Sequence, residues 1–234
     1  MREIVFDTET TGLSPSDGDR MVEFGAVEMV NRIETGVTFH AYYNPERDMP
    51  SEAFAVHGLS DAFLSNKSLF ADGAAELIEF LGDAPLIAHN AHFDFGFLNN
   101  ELEICGRPPV SMDRMVDTLA IARTKHPGAK HSLDALCSRY GVDRSQRVLH
   151  GALLDAQLLA QVYVELKGGR QIGMSLAEDA AEKTVETVET QPSQRLRKDV
   201  RPARPHGASE EELARHAAFI ARIKGALWVE GGRN

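Results

Sequence analysis

The amino-acid sequence predicts an α/β protein: a mixed β-sheet flanked by helices, followed by a flexible linker and a C-terminal helix. Hydrophobic residues make up 43% of the 234 residues, which is enough for a substantial core. In the first 45 residues apolar and polar residues alternate as they do in strands, and beyond residue 70 short apolar runs alternate with helical periodicity. Strands first, and then strands alternating with helices, are typical of a mixed sheet covered by helices.

The predicted strands form an antiparallel meander, because turn residues separate three neighbouring strand patterns. These patterns cover residues 2–8, 20–31 and 35–45. A fourth, short apolar strand is predicted at residues 85–90, after Pro85. Helical periodicity and capping residues, among them Ser132 as an N-cap, predict the main helices. They cover residues 72–82, 91–105, 132–141 and 151–167.

The charge of the chain excludes one common way of binding nucleic acid. The formal net charge is −10, and residues 1–167 alone hold 25 acidic and 14 basic side chains. A protein that grips nucleic acid by bulk positive charge has the opposite balance. If the first part of the chain binds a polyanion, it does so through cations, a local basic face or a partner. The N-terminus lacks the pattern of a signal peptide and no apolar run has the length of a membrane span, so a cytoplasmic location is predicted.

Two carboxylates stand at the end of the first apolar strand. Asp7 and Glu9 are two residues apart, so a strand places them on the same face. Like charges side by side destabilise a sheet unless something offsets them, and a divalent cation is the usual group that does so. A solvated strand end is the alternative, and for two acids alone it is the better interpretation.

Three further stretches contain ionisable residues beside apolar ones. Asp94 lies in the first turns of a predicted helix among phenylalanines, where an unpaired acid costs desolvation energy. His150 precedes the last helix and Asp155 lies inside it, while His89 and Asn90 follow a strand. Each has a structural alternative, such as a favourable interaction with the helix dipole. Together, four carboxylates and a histidine are suited to hold two hard cations and to deprotonate a water molecule.

The motifs "FDTETTGL", "AHNAHFDFGFL" and "HGALLDA" resemble those of a known family, the DEDDh class of 3′→5′ exonucleases in the ribonuclease H-like superfold. The resemblance covers about residues 1–167, and no catalytic position departs from it. Within the class, "HGLSD" and "HSLDALCSRYGV" are most similar to the epsilon proofreading subunits of bacterial DNA polymerase III. The resemblance implies an exonuclease domain over residues 1–169.

The resemblance also implies a two-metal hydrolysis that releases nucleoside 5′-monophosphates from the single-stranded 3′ end of DNA. Asp7, Glu9 and Asp155 would hold one Mg²⁺ or Mn²⁺ ion, and Asp7 would bridge to a second ion supported by Asp94. His150 would take the proton of the attacking water. All five residues are therefore predicted to be catalytic.

The walls around the terminal nucleotide are predicted from their position near these carboxylates, where apolar and aromatic contacts tolerate any base. They are Thr8, Thr10, Leu13, His57, Phe93 and Phe97. For the two phenylalanines, packing in the core is the alternative. Six basic residues between Arg123 and Arg147 would either follow a single-stranded backbone or form an ordinary solvated face.

The last third of the chain predicts contacts with other proteins. Residues 170–208 contain the peptide "QIGMSL" and then a linker too poor in apolar residues to fold alone. The peptide resembles the short segment that docks on the β sliding clamp, here through Gln171, Met174 and Leu176. Residues 209–234 predict a helix with Ser209 and Glu212 as a capping box. Its apolar face, by resemblance, binds the catalytic α subunit of DNA polymerase III. That face contains Leu213, Ile220, Ile223, Leu227 and Trp228.

Two alternatives to a proofreading exodeoxyribonuclease stay open at this stage. A free-standing exoribonuclease or RNA-trimming enzyme would use the same five catalytic residues. A non-enzymatic scaffold would link clamp and polymerase through the tail. The tail disfavours the first alternative, and the complete catalytic set disfavours the second.

Overall fold

The computed structural model describes residues 1–147, 149–169 and 208–222. The chain divides into two units, of which the first contains the described residues up to 169 and the second contains residues 208–222. In the described part of the chain, no helix combines the length and the apolar character that crossing a membrane requires.

The first unit is built on a five-stranded mixed sheet; the sequence predicts a mixed sheet and four of its strands, but not the fifth. In space the strands are ordered β3-β2-β1-β4-β5; the first three are antiparallel, and β1, β4 and β5 run parallel. The predicted meander and the short fourth strand are therefore confirmed. The strands are β1 Arg2–Thr10, β2 Met21–Val30, β3 Ile33–Tyr42, β4 Leu86–Ala88 and β5 Met115–Asp117.

Seven helices surround the sheet in this unit. They are α1 Ser51–His57, α2 Asp61–Leu64, α3 Phe70–Leu81, α4 Ala91–Ile104, α5 Thr118–Lys125, α6 Leu133–Tyr140 and α7 Ala152–Leu166. The predicted N-cap is confirmed, since the Ser132 hydroxyl accepts a hydrogen bond from the Ala135 N–H. The sequence patterns predict no structure for the segment that forms β5 and α5, and they do not predict α1 and α2. Helices α1 and α2 are short and mostly exposed, so they lack the apolar periodicity by which a helix is recognised.

Alternate residues of β1 face two different layers of the fold. Ile4 and Phe6 pack in the core formed with α3 and α4. Val5 faces the other side, where it packs with Leu159 and Tyr163 of α7. Because successive strand residues point to opposite faces, Asp7 and Glu9 lie on the α7 side and Thr8 on the α4 side. The end of β1 is therefore the place where residues from both layers meet.

The second unit contains one described helix, α8 Glu210–Ile220. The predicted capping box is present: the Ser209 hydroxyl accepts from the Glu212 N–H, and the Glu212 carboxylate accepts from the Ser209 N–H. Leu213 is exposed. The predicted clamp-binding residues Gln171, Met174 and Leu176 lie outside the described residues, as do Ile223, Leu227 and Trp228.

Candidate active site

The sheet itself places the first two carboxylates. Asp7 lies opposite Gly25 of β2, and Glu9 lies opposite Glu23. Glu9 is buried, and its Oε1 atom has no hydrogen-bond partner among the described residues. A buried carboxylate oxygen without a partner is costly, so this atom is available to a ligand that brings positive charge.

Asp94 enters the site from the first turn of α4. Asn90 is the N-cap of this helix and adopts a left-handed backbone, with φ of 63°. Its N–H donates to the Asp117 carboxylate at 3.0 Å, which fixes the start of the helix against the end of β5. The Thr8 hydroxyl then donates to Asp94 Oδ1 at 2.7 Å. Asp94 is thus held beside β1 by a neutral donor.

Helix α7 brings Asp155 to the same end of β1. Its first turn lies directly over Gly25: a Cβ atom at that position would lie 2.1 Å from the Leu153 nitrogen. A side chain of any kind would therefore displace the helix. Just before α7, the His150 N–H donates to the Val56 carbonyl at 3.2 Å. The imidazole of His150 remains about half-exposed, with Nδ1 3.3 Å from Asp155 Oδ2.

These elements together form one cleft of about 250 Å³ that contains all five predicted catalytic residues. Around them lie side chains from β1, α4, α6 and the segments before α4 and α7. The lining consists of Asp7, Thr8, Glu9, His89, Phe93, Asp94, Ser132, Leu133, Asp134, Arg147, His150 and Asp155. Residues far apart in sequence thus converge as the sequence predicts.

The donor set fits a divalent cation. Ligand atoms of Glu9, His150 and Asp155 all lie within 4.8 Å of one another. Carboxylate oxygens are the ligands that Mg²⁺ and Mn²⁺ prefer. With the unpartnered Glu9 oxygen, this arrangement supports a cation at this end of the cleft.

The carboxylates of the cleft differ in their protonation. Burial, followed by the charges of Asp94 and Glu9, raises the pKa of Asp7 well above its ordinary value. Burial and then the charge of Glu23 raise the pKa of Glu9 to about 8, and burial raises the pKa of Asp94 to about 7. Crowded, buried acids of this kind become readily ionised only when positive charge arrives.

The pKa of Asp155 is shifted in the opposite direction. Burial by itself would raise its pKa, but hydrogen bonds from His150 and Arg147 outweigh that effect and lower the pKa below its ordinary value. Arg147 supplies most of the positive charge. The sequence predicts Arg147 only as one of six basic residues that follow a single-stranded backbone or form a solvated face, although its position three residues before His150 is a signal that it lies near the site.

Two other members of that basic run also bind protein groups. Lys125 donates to the Glu165 and Leu166 carbonyls at the end of α7, and Arg144 pairs with Asp134 at 2.8 Å. These side chains therefore bind groups of the protein itself: Lys125 at the C-terminal end of α7, and Arg144 beside the cleft residue Asp134.

A second cleft, of about 490 Å³, adjoins the first and shares Thr8, Glu9 and Phe93 with it. Thr10, Leu13 and His57 line it as well, so five of the six predicted substrate walls face this space. His57 is buried; its Nδ1 accepts from the Leu59 N–H, and its Nε2 has no partner among the described residues. That Nε2 therefore holds the ring proton and can donate it to a hydrogen-bond acceptor.

Phe97 differs from the prediction. It is fully buried in the core cluster, and its ring lies 5.0 Å from that of Phe93. Phe97 therefore supports Phe93 from behind and does not itself line either cleft. Phe97 is therefore a core residue, which is the alternative to a substrate wall that the sequence left open.

Comparison with known proteins identifies the family. The sequence profile of the exonuclease family matches residues 4–163. A DNA polymerase III subunit epsilon from Rickettsia felis is 48% identical over 95% of this chain and 97% of its own length. The subunit of the same name from Escherichia coli is 44% identical over 95% of this chain and 93% of its own length.

The chain belongs to the DNA polymerase III epsilon-subunit family. The nuclease domain of 3′hExo, a DEDDh family member, has the same fold with a TM-score of 0.62 at 18% identity, over 71% of this chain and 91% of that domain. The predicted ribonuclease H-like exonuclease fold and the predicted enzyme class, a 3′→5′ exonuclease, are therefore confirmed.

Proposed function

We propose that this chain is the proofreading exonuclease of a replicative DNA polymerase and removes nucleotides from the 3′ end of single-stranded DNA by two-metal hydrolysis. The observation that supports this function best is the convergence of Asp7, Glu9, Asp94, Asp155 and His150 in one cleft. A polar cleft with a donor set for cations, next to a larger and more apolar space, suits a phosphodiester with its terminal nucleoside.

Each residue of the cleft has a role in this proposal. Asp7, Glu9 and Asp155 would hold one divalent cation, and Asp7 and Asp94 would hold the other. When bound, such ions polarise the phosphate and stabilise the leaving 3′ oxygen. His150 takes the proton of the attacking water, because its ring is half-exposed to solvent and lies beside Asp155, with Nδ1 3.3 Å from Oδ2.

The adjoining cleft would bind the terminal nucleoside. Phe93 and Leu13 offer apolar surface to a base of any identity, and His57 lines the same space. Thr8 lines both clefts, and Thr10 lines only the larger one. Because the side chains proposed to contact the base, Phe93 and Leu13, are apolar, we expect little base preference.

The test is a side-by-side gel assay of 5′-labelled single-stranded DNA and RNA with Mg²⁺ and with EDTA. We expect Mg²⁺-dependent shortening from the 3′ end, faster on DNA, and a loss of about 1,000-fold or more in Asp7→Asn, since one buried carboxylate serves both ions. Glu79→Gln, which removes an exposed carboxylate on α3, is the matched control and should match the wild type. Faster RNA cleavage would favour the RNA-trimming alternative, and no cleavage of either substrate would favour the scaffold.

The tail is proposed to join this activity to replication. The helix that begins at Ser209 would bind the polymerase α subunit, and residues 171–176 would bind the β clamp. The exposed Leu213 and the capping box of α8 support an amphipathic helix that is ready for a partner. Loss of co-purification with the α subunit on deletion of residues 208–234, with exonuclease activity retained, is the expected result. The choice between Mg²⁺ and Mn²⁺ and the cytoplasmic location remain predictions.

A further inference from the structure

One side chain of the cleft has no role in the proposed hydrolysis, although it makes more polar contacts there than the predicted base. The guanidinium of Arg147 contacts both oxygens of Asp155, at 2.5 and 2.6 Å. It also donates to His150 Nδ1 at 2.8 Å and to Asp134 Oδ1 at 2.9 Å. Its side chain is only 9% exposed. This is a buried cation with a nearly complete set of acceptors.

Two of these acceptors belong to the residues that we propose as metal ligand and base. A guanidinium that binds a carboxylate through two parallel hydrogen bonds uses the in-plane lone pairs of both oxygens. They are two of the about four lone-pair positions through which a carboxylate can bind a cation. Asp155 therefore cannot keep both bonds to Arg147 and also bind a metal ion through the same positions.

We propose that Arg147 is an internal counter-cation of the metal site: it holds Asp155 and His150 in place while the site lacks metal, and it gives up Asp155 when a divalent cation binds. Arg147 is in this sense a positioning residue that weakens metal affinity, because each binding event has to break its bond pair with Asp155. The proposal rests on the proposed metal site and adds the residue that competes for it.

Asp134 gives the displaced guanidinium another acceptor. Asp134 lies on α6 and is 47% exposed, and it pairs with both Arg144 and Arg147. Arg147 can thus leave Asp155 without losing all its ionic partners, which lowers the free energy needed for the exchange. A guanidinium shifted toward Asp134 also stays at the edge of the cleft, where the phosphate of a DNA strand would lie.

The test measures Mn²⁺ binding to the EDTA-treated full chain by isothermal titration calorimetry. Removing a charge-assisted competitor should tighten Mn²⁺ binding in Arg147→Gln by about tenfold. Arg144→Gln is the matched control: it loses an arginine that contacts Asp134 but not Asp155, and its affinity should equal that of the wild type. Unchanged or weaker binding by Arg147→Gln would overturn the proposal.

Thermal unfolding provides a second test, which distinguishes a competing role of Arg147 from a purely structural one. Without metal, Arg147→Gln should melt below the wild type, and saturating Mn²⁺ should remove most of the difference, because the ion then neutralises Asp155. An equal loss with and without Mn²⁺ would contradict a competing role. If Arg147→Gln fails to fold, Arg147→Lys keeps the charge but not the paired hydrogen bonds, and it should still bind Mn²⁺ a few-fold more tightly than the wild type.

These outcomes separate the proposal from the proposed function. If the wild type itself binds no Mn²⁺, the metal site fails and the inference fails with it. If the wild type binds Mn²⁺ and Arg147→Gln binds it no more tightly, the metal site stands and only the role of Arg147 fails.

Discussion

Asp94 and Asp155 occupy opposite sides of the same cleft under matched conditions, yet their protonation differs. Each lies in the first turn of a helix, and each is 2% exposed. Asp94 accepts a hydrogen bond from the Thr8 hydroxyl, and its pKa is raised to about 7. Asp155 binds the guanidinium of Arg147, and its pKa is lowered. Two acids with the same exposure thus differ in pKa, because the contacts of Asp155 with His150 and Arg147 outweigh the effect of burial, whereas the neutral Thr8 hydroxyl beside Asp94 does not.

The comparison divides the cleft into two sides. On the α7 side, Arg147 already neutralises Asp155; on the side formed by β1 and α4, the carboxylates have raised pKa values. Asp7 and Glu9 lie on β1 between the two helices, and their raised pKa values group them with Asp94. A bound cation would therefore change the ionisation of the carboxylates on β1 and α4 more than that of Asp155. On the α7 side, an ion would replace a cation that is already present.

The largest effect on activity is expected from a substitution that displaces the backbone of α7. In Gly25→Ala the new Cβ would overlap the backbone of Ala152 and Leu153, so the first turn of α7 has to move and Asp155 moves with it. We expect kcat/KM on single-stranded DNA to fall by about 100-fold or more, since a misplacement of about 1 Å can have that effect. Stability should fall by about 1–3 kcal/mol, measured by urea unfolding.

Gly96→Ala is the matched control for this substitution. Gly96 lies within α4, and the nearest atom that its Cβ would meet is Pro15 Cγ at 4.0 Å. Alanine favours a helix more than glycine does, so stability should rise slightly while activity stays near the wild-type value. Full activity in Gly25→Ala would mean that the close approach of α7 to β2 does not position Asp155.

A smaller effect is expected on the stability of the metal-free protein at pH 8. Removing the charge of the acid on the α4 side should stabilise the protein, and removing that of the acid on the α7 side should destabilise it. The folded-state pKa of Asp94 lies above its unfolded value, so ionised Asp94 costs stability above about pH 7. Asp94→Asn keeps the acceptor for Thr8 and removes that charge, so it should stabilise the protein by on the order of 2 kcal/mol. Asp155→Asn should destabilise it by about 3 kcal/mol, because Arg147 loses its buried partner.

Urea unfolding in EDTA measures both variants. Because the pKa of Asp155 is lowered, its contribution is present at pH 8 and is lost as the pH falls through the folded-state pKa, whereas the stabilisation by Asp94→Asn should shrink as the pH falls below about 7. A change of the same sign in both variants at pH 8 would remove the distinction between the two sides.

Local patterns in the sequence predicted most of the fold, and the motifs predicted the five residues that the structure brings together in one cleft. The period of two in β1 places Asp7 and Glu9 on one face, and the apolar stretch around Asp155 predicts a helix, so these features depend on neighbours along the chain. Helix α1 was missed because its start at Pro50 has no side-chain cap and most of its residues are exposed. Nothing local distinguishes such a segment from a loop.

The features that the sequence did not predict depend on contacts between distant segments. Gly25 looks like any glycine in a strand until α7 lies over it. Arg147 lies in a loop whose path is fixed by the bond between His150 and the Val56 carbonyl, so its contact with Asp155 does not follow from spacing. Phe97 and Phe93 are one helical turn apart, and only the packing of α4 against the sheet decides which of them faces the cleft.

The smallest effect is expected on the α4 side, from Thr8→Val, which keeps the shape of the side chain and removes the hydroxyl that lowers the pKa of Asp94. In the wild type a proton on Asp94 competes with the cation, so Mn²⁺ affinity should rise from pH 6 to pH 8 as the group ionises. A variant whose Asp94 pKa is higher by about 1 should bind Mn²⁺ about fivefold more weakly at pH 7 and almost normally at pH 9. Thr8→Ser keeps the hydroxyl and should follow the wild type at both pH values. An equal loss at pH 7 and pH 9 would mean that the threonine acts by packing, and that burial alone keeps this side of the cleft neutral until a cation binds.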